Sequence, residues 1–187
     1  MSNIGISICD GGALEKLNEL LHKVKDMDGD VVEVGVYRGG SALEISKILN
    51  NDNIYLFDTF EGLPQTNEHD NHHKKGDFND TSYEQILELF KDNDNICIYK
   101  GVFPIENSEV LNDKKFKFVH LDVDIYDSYK NCLDFFHNKM VKGGIILFDD
   151  YNAGSCLGAK KAVDEFLLTN NLNLIIGNDC QAYIIYK

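Results

Sequence analysis

Apolar positions along the chain switch repeatedly between a helical and an extended spacing. Leu14, Leu17, Leu21 and Val24 recur every three or four residues and predict a first amphipathic helix. Residues 30–36 (DVVEVGV) form a β-branched run that predicts a strand, and the turn Tyr37-Arg38-Gly39-Gly40 follows it. Ser41, with Glu44 three residues on, has the form of a capping box and predicts the start of the next helix. Residues 53–57 (NIYLF) predict a second strand that ends at Asp58. The polar stretch 61–80 lacks either period, and segments of that length commonly serve as lids. Thr81 and Glu84 repeat the capping-box pattern and predict a helix running to about Phe90. A third strand is predicted at 96–99, a fourth at 117–123 (KFVHLDV) and a helix at 128–138. Gly143-Gly144 is read as a turn into a fifth strand at 145–151 (IILFDDY). Ala159, Ala162, Val163, Phe166 and Leu167 mark a last helix, and the runs 172–176 and 182–186 predict a closing antiparallel pair. Such alternation is the pattern of an α/β protein. With no repeat, linker or change of composition, a single domain over 1–187 is expected, with 1–29 as its N-terminal helix region.

Composition narrows the function classes. The 187 residues carry 18 Lys+Arg against 31 Asp+Glu, a formal net charge of −13. Hydrophobic residues at 43% and charged residues at 26% are ordinary globular values, which exclude wholesale disorder. The acidic balance argues against a nucleic-acid partner, because phosphate backbones are bound by clustered cations. No run approaches the ~20 apolar residues that span a bilayer, so no membrane partner is expected. The opening MSNIGISICDGG lacks the basic and apolar regions of a signal peptide. Cys9, Cys97, Cys132, Cys156 and Cys180 are odd in number and widely spaced, which suits reduced thiols in a cytoplasm.

Two groups of residues carry candidate chemistry. The segment Glu33-Val34-Gly35-Val36-Tyr37-Arg38-Gly39-Gly40-Ser41 joins a strand to a helix, the place where nucleotides lie in doubly wound folds. Its spacing is neither G-x-G-x-x-G nor a P-loop. Glu33 suits a cationic amino group better than a pyrophosphate, and Asp58 is placed to accept from ribose hydroxyls. Together they suggest a nucleoside bearing a cationic amino acid, such as S-adenosylmethionine. A plain tight turn with a strand-end Asp is the alternative. The second group is Asp122 and Asp124, followed by Asp149-Asp150 at the end of the fifth strand. In a parallel sheet these strand ends are neighbours, and converging carboxylates call for a cation. All-oxygen donors select Mg²⁺, Mn²⁺ or Ca²⁺ over Zn²⁺. The alternative is that Asp127 and Asp150 cap helices or turns and the other acids are solvated. His69, His72 and His73 sit in the polar stretch beside lysines and read as part of a mobile lid rather than a Zn²⁺ site. His137 reads as structural, and His120 could face either way.

In order along the chain, EVGVYRGGSA, LFDTFEGLP, KGVF, HLDVDIYDSYKNCLDFF, GGIILFDDY and AKKAVDEFL resemble the macrocin O-methyltransferase family over about residues 30–187. The resemblance implies a Rossmann-like class I methyltransferase fold: a mostly parallel seven-stranded sheet with helices on both faces and an antiparallel last strand. It also implies S-adenosyl-L-methionine and Mg²⁺ (or Mn²⁺) as cofactors, and a sugar hydroxyl on a glycosylated small molecule or glycan as acceptor. Asp122, Asp149 and Asp150 match the family's metal ligands, and Asp124 its catalytic base. Glu33, Gly35, Tyr37, Gly39, Ser41 and Asp58 match its cofactor-binding stretches, with Thr59 and Phe60 as neighbours of the adenine and Gly101 as a further match. A homodimer is the family expectation. The family carries a longer segment ahead of the first strand than residues 1–29, and often has arginine where this chain has His120. Three other readings stay open: methylation of a catechol or other small diol, an NAD-dependent oxidoreductase, and a non-catalytic sugar-binding protein.

Overall fold

A computed structural model describes residues 12–187. The expectations that concern the opening residues and Cys9 fall outside them. The elements in chain order are α1 (Ala13–Val24), β1 (Asp30–Val34), α2 (Gly40–Ile48), β2 (Ile54–Asp58), α3 (Tyr83–Leu89) and β3 (Ile96–Lys100). They continue with β4 (Phe116–Leu121), α4 (Tyr126–Phe136), β5 (Met140–Phe148), α5 (Leu157–Asn170), β6 (Ile175–Ile176) and β7 (Ala182–Ile185), and short 3-10 turns lie at Ser108–Leu111 and His137–Lys139.

The strands form one seven-stranded sheet in the order β3-β2-β1-β4-β5-β7-β6. β1 to β5 are parallel, whereas β7 runs antiparallel to β5 and to β6. Each of β1, β2 and β4 is buried on both faces because each face is covered. Val31, Ile54, Leu56, Phe118, Ile145 and Leu147 pack with α1, α2 and α3. Their alternates Val32, Phe57, Val119, Leu121, Ile146 and Phe148 pack with α4 and α5. The strand order reverses between β1 and β4, so a crevice opens at the carboxyl ends of those two strands.

At the opposite end of the sheet, Lys117 is fully buried. Its ammonium donates to the carbonyls of Lys25 and Met27 and pairs with Asp52 at 2.9 Å, which fastens the α1–β1 connection to β4.

Several local expectations are corrected. The α2 helix is not opened by a capping box: its N-cap is Gly39, at φ 80°, and the Ser41 hydroxyl is spent on Glu33. Ser82, not Thr81, caps α3, accepting from the Gln85 N–H. Gly143-Gly144 is not a turn ahead of β5 but lies inside it. The β4–β5 register jumps there from Phe116↔Met140 to Phe118↔Ile145, and Gly143 takes φ 83°. A Cβ on Gly144 would lie 2.9 Å from the Val141 carbonyl oxygen, so the bulge has no room for a side chain.

The stretch 61–80 has no helix or strand but is tied down. Leu63 and Gly76 exchange backbone bonds with Asp77 and Leu63 at 2.8 and 2.9 Å. The carboxylate of Asp70, itself buried, accepts from the Tyr126 N–H at 2.9 Å, which supplies α4 with the N-terminal cap that Ile125 cannot.

Candidate active site

The crevice is a cavity of about 550 Å³ walled by the segments that leave β1, β2, β4 and β5. Its floor is a contact between two chain exits. Gly35 takes φ 91°, and a Cβ added there would lie 1.7 Å from the Asp122 carbonyl oxygen. Only glycine lets β1 turn away while β4 passes so close. Gly35→Ala is therefore expected to destabilise the protein by about 2–3 kcal/mol, from a positive-φ side chain plus overpacking against backbone. Urea denaturation of the two proteins checks it, and an unchanged midpoint would refute this close approach.

Asp58 organises the β1–α2 turn. One carboxylate oxygen accepts from the N–H groups of Val36 and Tyr37 at 2.8 and 2.7 Å, and the other from that of Phe60 at 2.7 Å. The turn is held further by Thr81, whose hydroxyl donates to the Tyr37 carbonyl at 2.5 Å, and by the Tyr37 hydroxyl donating to Asp80 at 2.6 Å. Thr59 donates to the Gly62 carbonyl, and the Gly101 N–H to that of Asp58 at 2.9 Å.

Of the residues matched to cofactor-binding stretches, Gly35, Tyr37, Ser41, Asp58, Thr59 and Gly101 line the cavity. Glu33, Gly39 and Phe60 do not. Glu33 alternates with Val34 onto the α1–α2 face and is fully buried behind the wall. Gly39 lies against α3, where a Cβ would meet Leu89 at 2.7 Å. Phe60 is buried with its ring 5.5 Å from that of Tyr83.

The four aspartates all reach the same cavity. Asp122, Asp149 and Asp150 each offer a carboxylate oxygen, and these oxygens lie within 4.8 Å of one another. Asp122 and Asp124 follow the last residue of β4 rather than extending the strand, and Asp124 takes φ 57° as the chain turns into α4. The Asp124 N–H donates to Asp150 at 3.0 Å, while the Tyr129 hydroxyl sits 2.9 Å from the same oxygen and 2.8 Å from the Leu121 carbonyl. Burial, with the neighbouring carboxylates adding to it, pushes Asp122 and Asp150 well above the usual carboxylate range. Burial likewise raises Asp124; the bond with Cys156 lowers it, Asp149 and Asp58 raise it, and together they hold it up at about 7. Carboxylates that resist ionising together are what a divalent cation relieves, and three converging carboxylate oxygens fit a hard ion such as Mg²⁺ or Mn²⁺.

His120 has a role that sequence reasoning missed. Its strand register sets it beside Glu33, and it lies almost wholly buried with Nδ1 2.9 Å from Glu33 and Nε2 3.3 Å from Asp149. Burial pulls this imidazole down, but the hydrogen bonds to Asp149 and Glu33 outweigh it and hold the ring up at about 10, as an imidazolium. Gln181 also donates to Asp149, at 2.6 Å. The one available signal was parity: His120 shares its strand face with Phe118. His73 also lines the cavity, whereas His137 packs edge-on against Phe166 away from it, in keeping with a structural part.

No helix among the described residues is long and apolar enough to cross a membrane. Comparison with known proteins agrees with the fold. The demethyldecarbamoylnovobiocin O-methyltransferase of Streptomyces niveus is 27% identical over 179 residues, covering 82% of this chain and 64% of that relative. The chain thus spans somewhat under two thirds of that protein's length. The structure of the O-methyltransferase NovP superposes with a TM-score of 0.80 at 24% identity, covering 93% of this chain and 79% of that one. The calicheamicin methyltransferase CalS11 gives 0.81 at 20% identity, covering 92% and 78%. These likenesses establish the class I methyltransferase fold. Residues 3–182 match the macrocin O-methyltransferase (TylF) family, and the chain belongs to that family.

Proposed function

We propose that this protein transfers a methyl group from S-adenosylmethionine to a sugar hydroxyl of a glycosylated small molecule, with a divalent cation at the acceptor. The observation that carries the reading is the opening of two different subsites into one cavity, the Asp58-ordered turn and the aspartate cluster. The named activity of the novobiocin-type relative supports the acceptor class.

S-adenosylmethionine, when bound, supplies the methyl group on a positively charged sulfur. Asp58 keeps its carboxylate fixed by three backbone N–H groups, two on one oxygen and one on the other, which leaves that second oxygen a lone pair to accept from a ribose hydroxyl. Glu33, behind the cavity wall, binds Ser41 and His120, so its part is to order the turn from behind rather than to touch the cofactor. Thr59 and Gly101 border the space left for the base. Asp122, Asp149 and Asp150 would hold Mg²⁺ or Mn²⁺, which lowers the pKa of a bound hydroxyl. Asp124 stands beside that cluster with its backbone tied to Asp150, and its carboxylate takes the hydroxyl proton as general base. Holding acceptor and donor in one cavity adds the proximity term.

Calorimetric titration with S-adenosylmethionine, with NAD as control, tests the cofactor. Mass spectrometry of glycosides incubated with S-adenosylmethionine and Mg²⁺ then tests the transfer. Binding of S-adenosylmethionine and a product heavier by one methylene are expected. Binding of NAD alone would sink the proposal. Asp58→Ala should weaken S-adenosylmethionine binding by more than about tenfold, the scale of a lost charged hydrogen bond, with the far-ultraviolet circular dichroism unchanged.

A further inference from the structure

Beside the aspartate cluster lies a second group of metal-ligating side chains with different chemistry. His73, Asp124 and Cys156 each turn a ligand atom toward a common point on the cavity wall. The His73 Nε2 lies 3.4 Å from the Cys156 sulfur, which is 3.6 Å from Asp124 Oδ1, and Nε2 is 3.9 Å from the same oxygen. Tetrahedral zinc, with bonds of about 2.3 Å to sulfur and about 2.0–2.1 Å to nitrogen and oxygen, sets its donors about 3.3–3.6 Å apart. Two of the three separations already match, and the third closes with a small rotation of the imidazole.

The surroundings favour the same ion. Asp77 lies behind His73, 3.9 Å from its other nitrogen; that is longer than a hydrogen bond but on the side from which a carboxylate orients a zinc-bound histidine. All three donors line the cavity, so a fourth coordination position faces it.

We propose that His73, Asp124 and Cys156 form a binding site for Zn²⁺ or a similar borderline-soft divalent ion, distinct from the all-carboxylate group formed by Asp122, Asp149 and Asp150. The two groups sort metals by donor type: imidazole and thiolate select zinc, and three carboxylates select magnesium. Binding forms the metal–sulfur bond and releases the thiol proton to solvent. It also ties the stretch 61–80, through His73, to the start of α5. Where Asp124 serves as base, the same ion would occupy it and stop transfer, but the site itself does not depend on that reaction.

Cobalt(II) is the probe, added to the metal-free full chain. One equivalent should give visible bands of tetrahedral cobalt with a near-ultraviolet thiolate-to-cobalt band, displaced by Zn²⁺ and insensitive to excess Mg²⁺. Cys156→Ser should abolish the sulfur band. His73→Ala, in a segment without helix or strand, should weaken binding by more than about tenfold and decides the matter if the cysteine variant fails to fold. Asp122→Asn should leave the band in place. Cobalt bound without a sulfur band, or a sulfur band that survives Cys156→Ser (Cys180 also borders the cavity), would overturn the proposal.

Discussion

Asp124→Asn is expected to lower turnover by roughly 10²–10⁴-fold, the usual worth of a positioned general base, while S-adenosylmethionine binds as before. The substitution is close to isosteric. Asparagine tolerates the left-handed backbone that Asp124 adopts at φ 57°, so the turn between β4 and α4 is kept. The Asp124 N–H still donates to Asp150, which leaves the three converging carboxylates in place. What disappears is the ability to take a proton. Single-turnover rates, set beside calorimetric affinities for cofactor and Mg²⁺, separate the two effects. A variant that keeps most of its rate would show that the proton leaves by another route.

His120→Leu is expected to cost about 3–5 kcal/mol, the penalty for removing one member of a buried ion pair. The imidazolium lies between Glu33 and Asp149, and all three are buried, Asp149 meeting only the cavity. Leucine fills the volume but leaves Glu33 and Asp149 without the cation between them. Ser41 still donates to Glu33 and Gln181 to Asp149, but neither donor carries a positive charge. Urea unfolding of the metal-free protein measures the loss. A cost below about 1 kcal/mol would mean that the two carboxylates do not rely on this cation.

Element type and order were legible in the sequence because both faces of the sheet are covered, and period and β-branching report that directly. Element ends were not. The predicted strands 30–36, 117–123 and 145–151 each overrun the observed β1, β4 and β5, always at the carboxyl end. There the chain stays apolar or acidic but leaves the ladder through Gly35 and the turn at Asp124 to build the cavity, and hydrophobic pattern is blind to that change. The capping-box reading of Ser41 failed for a related reason: its hydroxyl has a stronger acceptor in the Glu33 carboxylate. The aspartates that converge were readable as strand ends. The Glu33–His120–Asp149 chain was not, because it needs the register of β1 on β4, which sequence spacing alone does not give. His73 was set aside as part of a lid. Its neighbours Asp124 and Cys156 are remote in sequence and come together only when 61–80 folds onto α4 and α5.

Lys117 offers a use unrelated to catalysis. Its amine is sealed inside the protein and held by two carbonyls and a carboxylate at the end of the sheet away from the cavity. Amine-directed reagents will modify the exposed lysines of the native protein quickly and reach Lys117 only when β4 separates from its surroundings. Its labelling rate, read by peptide mass spectrometry, is thus a built-in clock for opening of the central sheet.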